Sequence, residues 1–144
     1  MSKVVPLMPD GQPSMLREED VTIPRLKAVL DAAFLDCEIN EYDHLMIWEG
    51  LPCSCGVFID GDNKLITMFT IRELPDGTKD ADRIINELNK PALVVQFFHD
   101  TQDVWGNYWM TYDGGLSIRQ FVKMLRRFTC DFEYNLRDLA GEKL

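Results

Sequence analysis

Residues 56–71, GVFIDGDNKLITMFTI, decide the fold, because two strand-like runs flank a compact polar turn. The turn at residues 60–63, DGDN, has the residue types that close β-hairpins. The returning run is rich in Ile, Thr and Phe, which favour strands. The sequence therefore predicts a hairpin, with one strand at residues 53–59 and the next at residues 65–72.

Upstream of this hairpin, the pattern predicts a helix and a short strand. The helix is expected to begin at Pro24, since proline suits the first helical position, and the stretch at residues 38–41 is expected to end it. A short apolar run at residues 44–48 predicts the strand. The helical residues that recur at steps of three and four, and so share one face, are Leu26, Val29, Leu30, Ala33 and Phe34.

Downstream of the hairpin, a short helix and two strands are predicted. The segment PDG at residues 75–77 is a break. A helix is expected after it, with Thr78 as the N-cap and Pro91 as the stop. Residues 92–99 and 104–112 are then predicted as strands.

The last helix is the most strongly specified element of the sequence. Ser117 caps it, and Gln120 three residues later completes a capping box. Apolar residues keep a helical period up to Leu139. The other sides carry cations that would either form a solvated face paired with acids or bind an anionic partner, namely Arg119, Lys123, Arg126 and Arg127.

The predicted order is α-β-β-β-α-β-β-α, an α+β fold with an antiparallel five-stranded sheet packed by helices. Residues 1–20 contain three prolines and a charge run, so we expect a flexible N-terminal tail there. Residues 21–144 show no repeat and no internal linker, and they are expected to form a single α+β domain.

Three local features carry a resemblance to a known family. They are the first helix ending in Phe34-Leu35-Asp36, the hairpin GVFIDGDNKLITMFTI, and the terminal helix SIRQFVKMLRRF that leads into LRDL. With the element order, they make the chain resemble the type III secretion chaperone-like fold and, within it, the YbjN-type family of bacterial sensory transduction regulators. The resemblance implies a homodimer without catalytic residues that binds another polypeptide.

The charge balance excludes some classes of partner. Twenty-four acidic residues against fifteen basic ones give a net charge of −9, which works against nucleic-acid backbones and anionic membrane surfaces. Apolar runs are shorter than the roughly 20 residues that span a bilayer, and the first residues lack the apolar core of a secretory signal. We therefore expect a cytoplasmic protein with neither nucleic acid nor membrane as a partner.

The strands themselves predict an interaction surface, because both of their faces are largely apolar. A sheet with one face in water should alternate apolar and polar residues. Three helices, one of them short, can cover one face of the sheet more readily than both faces. A second copy of the chain or a bound peptide is therefore expected on the other face, the alternative being a helix of the same chain. The candidate partner or dimer contacts are Trp48, Trp105, Tyr108 and Trp109.

The sequence holds no constellation typical of catalysis. There is no glycine-rich phosphate loop, and His44 and His99 have no nucleophile in a recognisable setting. Cys53 and Cys55 could hold a metal only with His44 and Cys130 as further ligands, and reduced core thiols explain them better. We expect no enzyme activity, catalytic residue, cofactor or metal. The alternative is an enzyme or small-ligand binder with a pocket between sheet and helices, using His99, Cys53 or Cys55.

Overall fold

The computed structural model describes residues 14–74 and 78–143, and it confirms the α+β class. In that part of the chain the helices are α1 (Ile23–Ala32), α2 (Ala81–Asn89) and α3 (Ile118–Lys143). The predicted break at residues 75–77 lies outside the described residues. The strands are β1 (Met15–Leu16), β2 (Cys37–Ile39), β3 (Leu45–Ile47), β4 (Cys55–Asp60), β5 (Leu65–Glu73), β6 (Gln96–His99), β7 (Asp103–Thr111) and β8 (Leu116–Ser117).

The predicted hairpin lies at the centre of the main sheet. This sheet is antiparallel throughout, in the order β2-β3-β4-β5-β7-β6. In the turn between β4 and β5, Asp60 accepts hydrogen bonds from the backbone and side-chain nitrogens of Asn63, at 3.2 and 2.8 Å. Lys64 follows in the left-handed region, with φ of 53°. The hairpin prediction is confirmed.

The prediction of five strands was wrong, because the described sheet has a sixth strand, β2, at one edge. The stretch at residues 38–41 was predicted to end the first helix, but the helix already ends at Ala32. Phe34 adopts a φ of 61°, and the amide of Leu35 bonds to the carbonyl of Leu30 at 2.9 Å, so the chain reverses there. β2 has only three residues, too few for an alternating pattern to be visible in the sequence.

Part of the predicted tail makes specific contacts. Its first thirteen residues lie outside the described part of the chain. β1 pairs with β8 in a small second sheet, and Leu16 is buried. Glu18 pairs with Lys64 and accepts a hydrogen bond from the Gly114 amide at 2.9 Å. The sequence pattern did not predict these contacts.

The helix caps follow the sequence in one case and differ in the other. Ser117 accepts a hydrogen bond from the Gln120 amide at 3.2 Å, so the predicted cap of α3 is confirmed. α2 is capped by Asp80, which accepts from the Arg83 amide at 3.1 Å, and not by Thr78. In each helix, the side-chain oxygen of the cap residue accepts from an amide of the first turn that has no partner within the helix.

The strand predicted at residues 92–99 begins only at Gln96, because the residues before it are hydrogen-bonded to a helix. One carboxylate oxygen of Asp131 on α3 accepts hydrogen bonds from three successive amides, those of Leu93, Val94 and Val95, at 2.8–3.1 Å. These donors are therefore occupied before the chain enters β6. Such a side-chain anchor has no local signature in the sequence.

The helices pack on one face of the main sheet, which we call the helical face. Phe132 of α3 lies over Gly106 of β7 and stacks on Phe97 of β6, with ring centroids 5.3 Å apart. Arg72 of β5 pairs with Glu133 of α3 at 2.5 Å. α1 packs beside β2, and α2 packs against β6 and α3. The helical face holds the core.

Candidate interaction surface

The opposite face of the main sheet, which we call the aromatic face, carries a row of rings in mutual contact. Successive ring centroids lie 5.0 Å apart between His44 and Phe58, 5.8 Å between Phe58 and Phe69, 6.4 Å between Phe69 and Trp105, and 5.8 Å between Trp105 and Phe98. These five residues form the aromatic stripe. It runs diagonally from the start of β3, across β4, β5 and β7, to β6 at the sheet edge.

Strand alternation and one glycine place the stripe on this face. Successive residues of a strand point to opposite faces, so Phe69 lies on one face and its neighbours Met68 and Thr70 lie on the other. Gly56 is the partner of Phe69 across β4 and β5. A Cβ at Gly56 would overlap the Phe69 ring, so the absent side chain lets the ring lie over the sheet.

The aromatic face differs from the helical face in exposure. Trp109, Ile71 and Phe98 on the aromatic face are 42, 41 and 38% exposed. On the helical face, Met68 is fully buried and Phe97 is 2% exposed. Large apolar side chains are thus partly exposed on one side of the sheet, and exposed apolar patches are typical of interaction sites.

Hydrogen bonds hold Trp105, the stripe residue on β7. The indole nitrogen of Trp105 donates to Asp100 at 2.9 Å, and the other carboxylate oxygen of Asp100 accepts from the amides of Gln102 and Asp103. These hydrogen bonds stabilise the charged carboxylate and so lower the pKa of Asp100. The bond from Trp105 has the largest effect, and the two amide bonds come next. The loop between β6 and β7 therefore holds the Trp105 ring in a defined orientation.

A cleft extends the other end of the stripe. It has a volume of about 430 Å³ and lies between the start of α1 and the loops beside β3 and β4. Tyr42, which is mostly exposed, has its ring centroid 6.1 Å from that of His44. The cleft-lining residues include Val21, Ile23, Tyr42, His44, Phe58 and Ile59. Polar residues, among them Thr22 and Asp43, also line the cleft.

The β6 edge of the sheet is occupied by a side chain of α2. The Asn89 amide accepts from the Phe97 nitrogen at 2.8 Å and donates to the Phe97 carbonyl at 3.0 Å. It thereby takes both groups that an added strand would need. His99, at the end of β6, also bonds to Asp82 of α2 at 2.6 Å, and this bond raises the pKa of His99. At Phe97, the β6 edge is therefore closed to strand addition.

The candidate contact residues named from the sequence fall in different places. Trp105 and Trp109 lie on the aromatic face, across from Ile71 and Thr67 of β5. Tyr108 lies on the helical face, partly buried against the core. Trp48 follows β3 and is 58% exposed. Their role in partner contact stays a prediction.

Sequence reasoning missed four members of the stripe as site residues. These were His44, Phe58, Phe69 and Phe98. Because both strand faces are largely apolar in the sequence, alternation did not show which face these residues share. The cross-strand register that brings the rings together was not, since register depends on pairing between distant segments.

The buried and partly buried cysteines have contacts typical of core residues. The Cys53 sulfur lies 3.9 Å from the Thr70 hydroxyl and 3.8 Å from the Thr129 carbonyl. Burial raises the pKa of Cys53 and Cys55, and it raises the pKa of Cys37 to about 11, so these thiols are protonated at neutral pH. Among residues 14–74 and 78–143, no group of three or more His, Cys, Asp or Glu is placed to hold a metal ion.

The sheet order and the packing of the helices define an α+β protein with the YbjN-type fold, as the sequence resemblance predicted. One similar solved structure is the crystal structure of YbjN, a candidate transcription regulator from E. coli, which matches with a TM-score of 0.70. The two chains are 14% identical over 85% of this chain and 93% of the other, so the likeness concerns the fold. Neither a model of a known protein family nor a curated protein matches the sequence.

One further finding concerns membranes. In the described part of the chain, no helix combines the length and the hydropathy needed to span a bilayer.

Proposed function

We propose that the chain is a non-enzymatic protein-binding module that acts as a homodimer and presents its aromatic face to a polypeptide partner. The role is chaperone-like or regulatory. The observation that carries the proposal is the aromatic stripe: five rings in mutual contact, on the face away from the helices, with neighbouring apolar side chains about 40% exposed.

The composition of this face supports a polypeptide as the partner. Aromatic residues are enriched at protein interfaces, and they bury a large area at a small cost in side-chain entropy. At about 25 cal/mol per Å² of apolar surface, covering the partly exposed rings of this face would stabilise a complex by a few kcal/mol. The net charge of −9 disfavours nucleic acid and anionic membranes. The fold likeness to a candidate transcription regulator is in keeping with a regulatory role.

The proposed homodimer is tested by the mass in solution. Multi-angle light scattering at micromolar concentration should give about twice the mass of one chain. A mass equal to one chain would contradict the homodimer while leaving binding by a monomer open to the next experiment.

Binding by the aromatic face is tested with a permanently unfolded, fluorescently labelled polypeptide as the probe. Trp109→Ala should weaken binding about tenfold, since interface tryptophans contribute more than about 1 kcal/mol each. Phe34→Ala removes an aromatic ring that is 91% exposed and outside the stripe, and it should leave binding unchanged. Fluorescence anisotropy gives both dissociation constants. Equal losses for the two variants would show that the aromatic face is not the binding surface.

A further inference from the structure

The outer side of α3 carries a group of cations that the proposed function does not use. Their spacing of four, three and one residues places them on one side of the helix. All four are exposed. We call this group the cationic strip, and it consists of Arg119, Lys123, Arg126 and Arg127.

The cationic strip differs from most other cations in lacking acidic partners. Lys27 pairs with Asp31 at 2.9 Å, Lys64 pairs with Glu18, and the guanidinium of Arg137 lies 3.0 Å from Glu133. Within the described residues, no carboxylate lies within ion-pair distance of any member of the strip. Residues 118–130 contain no acid, so this segment carries +4. Since the whole chain carries −9, the remainder carries −13.

This concentration of like charge works against the helix. Like charges three or four residues apart on a helix repel each other and destabilise the helix. The many acids of the chain would offset that repulsion, yet none is placed in the first half of α3. The helix thus holds a cationic surface that an external anion would stabilise.

We propose that the cationic strip binds an extended acidic segment of a partner polypeptide. The positions 119, 123 and 127 are spaced by four residues, or about 6 Å along the helix axis. Alternate side chains of an extended segment are spaced by about 6.7 Å. Carboxylates at every second residue of such a segment therefore face successive cations of the strip.

Nucleic acid and anionic membranes fit this surface less well. Both present dense charge over an area much larger than one helix side, so they meet the −13 of the remaining chain as well as the strip. A short acidic segment meets the strip alone, because charges beyond the Debye length of about 10 Å are screened at moderate salt.

The cationic strip is independent of the aromatic stripe. α3 packs on the helical face through Phe128 and Phe132, which are buried, so its outer side points away from the sheet. The inference therefore does not rest on the proposed function, and either surface can fail its test without the other.

The test is fluorescence anisotropy with a labelled ten-residue peptide of alternating Glu and Thr, and with its Gln-Thr counterpart as the neutral probe. At about 0.1 M salt, where the Debye length is about 10 Å, the acidic peptide should bind and the neutral one should not. The combined substitutions Lys123→Gln, Arg126→Gln and Arg127→Gln should weaken binding about tenfold, the effect of three screened ion pairs together.

A matched control removes the same charge elsewhere. Arg25→Gln, Lys79→Gln and Arg83→Gln combined neutralise three exposed cations near α1 and α2, and they should change binding less than about twofold. Circular dichroism checks that both variants are folded. If the α3 variant is unfolded, the single substitution Lys123→Gln is used, with an expected loss of about twofold.

Three results would overturn the inference. The first is equal binding of the acidic and neutral peptides. The second is an equal loss in the α3 variant and the control. The third is tighter binding of duplex DNA, or of phosphatidylserine vesicles, than of the acidic peptide to the wild-type chain. Trp109→Ala should leave peptide binding unchanged, which separates this result from that of the proposed function.

Discussion

The two faces of the main sheet use the same device with different consequences. On each face a phenylalanine ring lies over a glycine: Phe132 over Gly106 on the helical face, and Phe69 over Gly56 on the aromatic face. Phe132 belongs to a helix, is fully buried and stacks on Phe97. Phe69 belongs to the sheet itself and is only partly buried among the rings of the stripe.

The difference predicts that stability and the proposed binding depend on different faces of the sheet. The ring on the helical face is held by a second layer of structure, so it cannot shift without moving α3. The ring on the aromatic face is held by neighbours in its own layer, and solvent or a partner lies beyond it. Substitutions on the helical face should therefore reduce stability, and those on the aromatic face should reduce binding.

The largest expected contrast concerns the two rings. Phe132→Ala should lower the free energy of unfolding by about 3–5 kcal/mol, because it leaves a cavity in a packed core. Phe69→Ala should lower it by about 1–2 kcal/mol, since a half-buried ring loses less burial. Urea unfolding followed by circular dichroism measures both. The two-face comparison fails if Phe69→Ala costs as much as Phe132→Ala.

The two glycines give a smaller contrast. A Cβ at Gly106 would lie 2.5 Å from the Phe132 ring, so Gly106→Ala should cost about 1–3 kcal/mol. Gly56→Ala should cost less than about 1 kcal/mol, because the Phe69 ring can tilt toward solvent, but it should weaken binding of the unfolded probe. Parallel unfolding and anisotropy measurements separate the two effects. A reversed order of stability would show that the aromatic face is the more rigidly packed.

The smallest expected effect concerns the hydrogen bond between Asp82 of α2 and His99 of β6. In the folded chain, two hydrogen bonds raise the pKa of His99 above its ordinary value of 6.5. The bond with Asp82 has the larger effect, and the bond with the Asp100 carbonyl has the smaller one. The contribution of this contact to folding stability is therefore complete below about pH 6.5. It is lost as the pH rises through the raised pKa of His99. The urea midpoint of the wild type should fall between about pH 6 and pH 8.5 more than that of His99→Gln. Asp82→Asn should resemble His99→Gln, and unchanged pH dependence in both would exclude this role.

Local patterns predicted the elements whose signals lie within a few residues. The turn at residues 60–63 and the cap at Ser117 are of this kind, because each depends on hydrogen bonds between near neighbours. The β2 strand and the shortened β6 were not predictable in this way. One has too few residues to show a period, and the other depends on Asp131, more than thirty residues away in the sequence.

The candidate surface was predictable only in part. Alternation along β7 separates Trp105 and Trp109 from Tyr108, and the structure places the two tryptophans on the aromatic face. The stripe as a whole depends on which residues of different strands stand opposite each other. Partner contact by these residues stays a prediction.

By itself, the sequence determined the α+β class, the central hairpin, the long amphipathic last helix and the unusual charge of its outer side, because each of these follows from propensity, periodicity or composition. The tertiary structure alone decided that the helices pack on one face, that five rings meet on the other, and that Asn89 occupies the sheet edge. These arrangements depend on contacts between residues far apart in the chain, whose free energies no local pattern encodes.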